Sequence, residues 1–426
     1  MRRVFSNRNV LVTSLTNSIT TFFNMIYFPY WAIYLEGLGM SLPQIGLLSA
    51  LQRSQMLLFT LPGGLLADRI GRKKVTLIGA GTSMVTPVFY LLAGQLIDNA
   101  WELLVIGTIF SALQSISMAA YDAMIAESLP RNLMGSGYGA LGMMRRVPML
   151  FTGIVGGVLM DTYGVHYGST ICFIGVFIGA GIVLVSRWLF LTETLKIKED
   201  RDSSLIQDFK EVLPLFKGSL QAMQVTSAIY QFSVGLTSQL IILWVIDYIG
   251  FSYTEWGLIS TCMSVIGFIT SIPGGMMADR YDRVKLNFFA RIVSPVTTIG
   301  YIYLRDFYQI LSVRMVAGVG MGLSGAEIGF LGGPAWSSLI MDLVPTEKRG
   351  RVNGLMSTFS GLVGFPSPYI GAYMWDSPSV GPVNAMWATI LIGLLSTGVF
   401  GIFVKDPKFQ KAKRKEEEET ELRRGE

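Results

Sequence analysis

The stretch PGGLLADRIGRKK, residues 62–74, recurs 211 positions later as PGGMMADRYDRVK, residues 273–285. A second pair follows at an offset of 215, with ESLPRNLMGSGYG at 127–139 matching DLVPTEKRGRVNG at 342–354. Two matches at nearly one offset mark a duplicated chain, each half repeating one supersecondary plan in the same orientation. Every copy is a short charged loop that follows a long apolar run. The repeated unit is therefore a set of helices joined by polar loops.

Outward from these loops, apolar runs occupy 11–36, 44–67, 75–97, 102–127, 137–160, 167–191, 222–249, 256–278, 286–304, 307–341, 351–374 and 382–404. Each is long enough for a hydrocarbon core that takes about 20 helical residues. The composition agrees: 51% of residues are hydrophobic and 15% charged, against about 25% charged in soluble domains. A membrane barrel would need short alternating strands instead. The fold class expected is all-α, with twelve transmembrane helices in two six-helix bundles arranged as parallel repeats. The bundles are expected at 1–191 and 222–404, joined by a polar linker at 192–221 and followed by a charged tail at 405–426. The tenth run is overlong, and Gly332, Gly333 and Pro334 predict a bend there.

Of the 34 lysines and arginines, 27 fall on the side of the repeated loops, Arg305 alone on the other, and six within spans. That asymmetry predicts cytoplasmic termini, linker and tail, with Trp101, Trp256 and Trp375 at outer span ends. A multi-pass protein of the cell membrane, in contact with lipid, is expected. The positive net charge belongs to this topology and implies no nucleic acid.

Cys172 and Cys262 lie in apolar runs without thiol or histidine neighbours, which excludes disulfide and metal-site readings. The one histidine, His166, falls in a short loop. No phosphate-binding loop, nucleophile elbow or metal-ligand cluster stands out, so neither an enzyme nor a bound cofactor is expected.

The repeated loops resemble those of the major facilitator superfamily, and the resemblance spans essentially the whole chain. That family carries G-x-x-x-D-R-x-G-R-[RK] between spans two and three, here Gly64, Asp68, Arg69, Gly71, Arg72 and Lys73. The second copy keeps Gly275, Asp279, Arg280 and Arg283, with Asp282 in place of the glycine. Gly64 should allow close approach of span two to a neighbour. Asp68, at a span terminus, can accept from Arg72 and from N-terminal amides of a partner span. Glu127 is a third candidate member, with Asp342 as its repeat counterpart. The resemblance implies that the Asp68–Arg72–Glu127 cluster latches the outward-facing state, whereas the residues alone also fit ordinary loop charges. It further implies alternating access, with spans 1, 4, 7 and 10 lining a central cavity.

Ionisable groups inside spans are functional candidates by default. They are Arg53, Asp122, Arg145, Arg146, Arg291, Arg314 and Glu327, with Glu36 and Asp247 near outer ends. Asp122 and Arg145 or Arg146 lie at equal depth on spans four and five, counting about 1.5 Å per residue from the connecting loop. Such a pair could pin two helices or take part in transport. Glu327 and Arg53 both count to mid-membrane. A carboxyl held away from water takes up a proton more readily, so Glu327 is the expected coupling residue and Asp122 the next candidate. A permanent Glu327–Arg53 contact is the alternative. Asn24, Tyr27, Arg53, Gln114, Arg145, Tyr230, Gln231 and Glu327 are the expected substrate contacts.

Drug–proton antiporters of the superfamily carry G-P-x-x-G-G on span five. Gly153, Gly156 and Gly157 are present here, but Pro148 is displaced. LTETLK at 191–196 resembles the P-E-T of sugar porters with the proline missing. The function expected is proton-coupled export of small amphipathic organic solutes by a monomer. The alternatives are import or facilitated passage of a polar or anionic metabolite, and a receptor that does not transport.

Overall fold

The computed structural model describes residues 5, 7–129, 134–195, 212–324, 333–345 and 348–410. Each of the twelve apolar runs is helical over most of its described residues. The helices are α1 (Arg8–Tyr27), α2 (Trp31–Gly37), α3 (Leu42–Ile70), α4 (Arg72–Gln95), α5 (Ala100–Gln114) and α6 (Ile116–Ser128). They continue with α7 (Met134–Phe190), α8 (Ser219–Thr237), α9 (Ile241–Leu243), α10 (Tyr253–Arg280) and α11 (Arg283–Tyr303). The chain ends with α12 (Phe307–Ser324), α13 (Pro334–Leu343), α14 (Arg349–Gly364), α15 (Ser367–Asp376) and α16 (Gly381–Phe403).

Local chemistry sets several boundaries. Asn7 caps α1 by accepting from the Asn9 N–H at 2.9 Å, as a short polar side chain does at a helix start. The long α7 covers the fifth and sixth runs. Gly164, at φ +78° and ψ +163°, turns the chain between them, in a region essentially closed to other residues. The tenth run is described as α12 and α13, with residues 325–332, where the bend is expected to begin, outside the described residues; α13 begins at Pro334 as a proline-started helix should. Of the linker, residues 196–211 lie outside the described residues, and of the tail, residues 411–426.

Among the described residues, six helical stretches are individually long and apolar enough to cross a membrane, including 72–95, 219–249 and 381–410. Large apolar side chains such as Phe151, Ile178, Leu391 and Ile402 point outward. Without a hydrocarbon solvent that exposure would be unfavourable; inside a bilayer it is the ordinary surface of a span. This is a multi-pass membrane protein.

Residues group into two compact units. The first comprises Met1–Arg201, Leu236–Ser264 and Phe365–Pro382, and the second Asp202–Gly235, Val265–Gly364 and Val383–Glu426. In the first, α1 packs along α7, α4 against α5 and α7, and α15 against α3. Its aromatic core joins Trp31 to Tyr90, 4.7 Å between centroids, and Phe173 to Tyr34 at 5.0 Å. The second unit closes around Met223, Trp336, Leu339, Val352 and Phe400.

Candidate functional site

The first repeated loop is built around Arg72. Its guanidinium forms an ion pair with Glu127 at the end of α6, while Asp68, one turn back on α3, stands 3.9 Å away. The expected cluster thus comes together, with Glu127 as the near partner of Arg72 and Asp68 as the outer one. No described side chain pairs with Arg69.

The amides at the start of α4 are taken by a residue outside the expected set. Glu193, just beyond the sixth run, accepts from Arg72 N–H at 3.1 Å and Lys73 N–H at 3.0 Å. It also accepts from Thr194 and Leu195 at 3.0 and 3.1 Å. Burial alone would lift its carboxyl; the four N–H donors outweigh that and hold it below the usual glutamate range. Gly71 makes the approach possible. A Cβ there would lie 2.6 Å from Glu193 Oε2, and the backbone sits at φ +103°. The role expected of Asp68 as acceptor for N-terminal amides belongs to Glu193. The available signal is LTETLK itself, which sets an acid directly after a span end.

The second loop repeats the plan with one exchange. Asp282 stands where Gly71 does and caps α11 itself, accepting from Val284 N–H at 2.9 Å. Arg283, the counterpart of Arg72, bonds Asp342 at 2.7 Å and Asp406 through Nε at 2.9 Å and Nη2 at 2.5 Å. Asp406 follows the twelfth run as Glu193 follows the sixth, and also accepts from the Arg283 N–H at 3.1 Å. Burial would lift the Asp406 carboxyl, but the Arg283 side chain, its N–H and its charge hold it below the usual aspartate range. The Asp279 carbonyl accepts from Lys408 Nζ at 2.5 Å, and Arg280 is exposed. Each repeat therefore brings an arginine, an acid from its fourth span and an acid from just past its sixth into one knot.

The close approach expected at Gly64 is made one residue earlier, and the second loop does the same. A Cβ on Gly63 would overlap the Ile116 carbonyl, whereas one on Gly64 would meet only Ala119 Cβ at 3.5 Å. Likewise a Cβ on Gly274 would lie 3.1 Å from the Gly322 carbonyl, but one on Gly275 3.9 Å from Pro334. The first glycine of each pair sets the close approach of the second span to the fourth. Gly64 instead helps to floor a cleft of about 1020 Å³ in the first unit, rimmed by Asp68, Arg72, Glu127 and Glu193.

Inside the first unit, Asn24, Tyr27 and Gln114 line one narrow cavity with Tyr90 and Phe173. Three expected substrate contacts from two helices thus converge. The others are elsewhere. Arg53 donates to Ser238 Oγ at 2.9 Å. Asp122 and Arg145 are both exposed, and the Arg145 charge falls on Asp122 although the two form no ion pair. Gln231 lies beside Gly364. Tyr230 is fully buried against Arg291. Glu327 lies outside the described residues.

Two buried arginines stand out. Arg187, absent from the sequence candidates, donates to Thr16 Oγ1 at 3.1 Å. Arg291 is fully buried, its three guanidinium nitrogens without a hydrogen-bond acceptor among the described residues. The rings of Phe400, Tyr230 and Trp336 face it at 4.2, 5.2 and 5.3 Å.

Comparison with known proteins gives the same reading. The family model described as Major Facilitator Superfamily matches residues 13–368 and 225–425. The chain is 26% identical over 406 residues to the multidrug resistance protein MdtG of Serratia proteamaculans, covering 90% of this chain and 91% of that one. It is 25% identical to MdtG of Salmonella arizonae, covering 86% and 88%. Among solved structures, a D-xylose–proton symporter superposes with a TM-score of 0.73 at 14% identity, over 94% of this chain and 98% of that one. The nucleoside transporter NupG superposes with a TM-score of 0.71 at 10% identity, over 92% and 98%. With its duplicated loop knots, its apolar helices and a family match along nearly its whole length, the chain belongs to the Major Facilitator Superfamily and is a secondary transporter.

Proposed function

We propose that this transporter exports small amphipathic organic solutes in exchange for protons. The observation that carries the reading is its similarity, over 90% of its length, to multidrug resistance proteins. Asn24, Tyr27 and Gln114 converge with the rings of Tyr90 and Phe173 around a gap of only about 10 Å³, so this polar and aromatic cluster would meet a solute only in a more open state. The repeats divide the chain at 1–191 and 222–404, with the loop knots, linker 192–221, tail 405–426 and both termini cytoplasmic. The knots of Arg72 and Arg283 hold one gating state, and Glu327 carries the proton.

The test is transport by the purified protein in liposomes with an imposed pH gradient, using a fluorescent lipophilic cation. Accumulation in an acidic lumen, abolished by a protonophore, is the expected result. Cation movement indifferent to the gradient overturns proton coupling, and movement only in the direction of proton flow overturns exchange.

A further inference from the structure

The N-terminus of α10 is closed by a residue from the other repeat. A helix start leaves four N–H groups without intrahelical acceptors. Two are met locally: Ser252 N–H donates to Glu255 Oε2 at 2.8 Å, and Glu255 N–H to Ser252 Oγ at 3.1 Å. The other two belong to Asp161 on α7. Its Oδ1 accepts from Tyr253 N–H at 3.1 Å and its Oδ2 from Thr254 N–H at 2.7 Å.

Around this contact the two helices have almost no space between them. A Cβ on Gly157 would overlap the Tyr253 carbonyl, and Gly153 and Gly257 face each other so that a Cβ on either would strike the other's carbonyl. The Tyr30 hydroxyl bridges the seam, 2.7 Å from the Gly153 carbonyl and 3.1 Å from that of Tyr253. All these residues belong to the first unit.

We propose that Asp161 is the latch of this seam, a positioning residue that holds the two repeats shut at their outer face during transport. The glycines supply contact that either repeat would make passively. Asp161 supplies a charge-assisted bidentate bond to amides that have no substitute acceptor in their own helix. Parting the seam uncovers both N–H groups at once, so the bond favours the closed state and its loss favours opening. Naming this face outer rests on the proposed topology; the latch itself does not.

The experiment is a distance measurement on the full chain in nanodiscs, with Cys172 and Cys262 replaced by alanine. Spin labels go on Tyr167→Cys and Tyr248→Cys, exposed positions on the two repeats. Wild type should give one short distribution. Asp161→Ala should raise the long-distance fraction at least threefold. Asp161→Asn, which keeps one acceptor oxygen, should fall between, and Asp161→Glu should restore the short form. A lowered melting point with unchanged distances in the alanine variant assigns Asp161 a structural role and overturns the latch. If the alanine variant does not fold, the asparagine variant decides by the same criterion. The readout needs neither substrate nor proton gradient, so it fails or succeeds separately from the export reading.

Discussion

Gly71 and Arg291 show how much one position can carry. Gly71 holds φ +103° and leaves 2.6 Å to Glu193 for an added methyl. Gly71→Ala should therefore combine backbone strain of about 1–3 kcal/mol with loss of the Glu193 bonds. The check is the unfolding midpoint in detergent, which should fall further from wild type to Gly71→Ala than from Glu193→Ala to the double variant, where only the strain remains to be lost. Arg291 poses the opposite question, because its charge faces rings and no described acceptor. Cation–π contacts of a desolvated arginine contribute about 2 kcal/mol, against several for removing the charge from water. Lysine keeps the charge, is more strongly hydrated and loses the planar stacking. Methionine removes the charge and keeps much of the volume. Arg291→Met should thus melt higher than Arg291→Lys. The reverse order would mean that the charge itself is needed in that core.

At the scale of elements, the knots join helix ends that are distant in sequence. Asp406 is nearly inaccessible and is held by Arg283 from α11. Since Asp342 stays paired with Arg283, Asp406→Ala should cost about 1.5–3 kcal/mol, as losing hydrogen bonds to a charged group does, rather than the larger cost of a buried charge left alone. The pH dependence follows from the sign of the shift. The folded-state pKa of Asp406 is depressed, so its contribution is complete above the ordinary aspartate range near pH 4 and lost as pH falls through the lower folded value. Melting curves of wild type should drop more steeply on acidification than those of Asp406→Asn. Helix crossings follow a different rule, since in lipid small residues set how near two spans come. Gly63→Ala should displace α6 from α3 and lower yield and melting point, while Gly64→Ala should leave both close to wild type. The repeated PGG made these crossings visible in the sequence. Which glycine acts was not visible, because that depends on how α3 is rotated against its neighbour.

The whole molecule was legible wherever the bilayer acts on sequence directly. Apolar length gave the helices, and the duplicated loops gave the repeat and the family. What stayed hidden depends on side chains meeting across hundreds of residues. Glu193 and Asp406 lie in short polar segments without periodicity, and Asp161 looks like any loop-end acid until α10 is placed beside it. Counting depth from loop centres brought Asp122 near the Arg145 charge, yet could not tell a facing pair from a bonded one. The same counting places Glu327 at mid-membrane, where its proposed role makes a sharp prediction. A proton carrier must exist in two charge states during the cycle, whereas a residue that only binds solute need not. Glu327→Gln fixes the neutral form and keeps the shape. If Glu327 couples protons to export, the variant should lose accumulation driven by a pH gradient at least tenfold and still exchange labelled for unlabelled solute across liposomes at a rate near wild type. Driven accumulation that survives in the glutamine variant would move the coupling role to another carboxyl, with Asp122 first, since it is accessible within its span and senses a neighbouring cation.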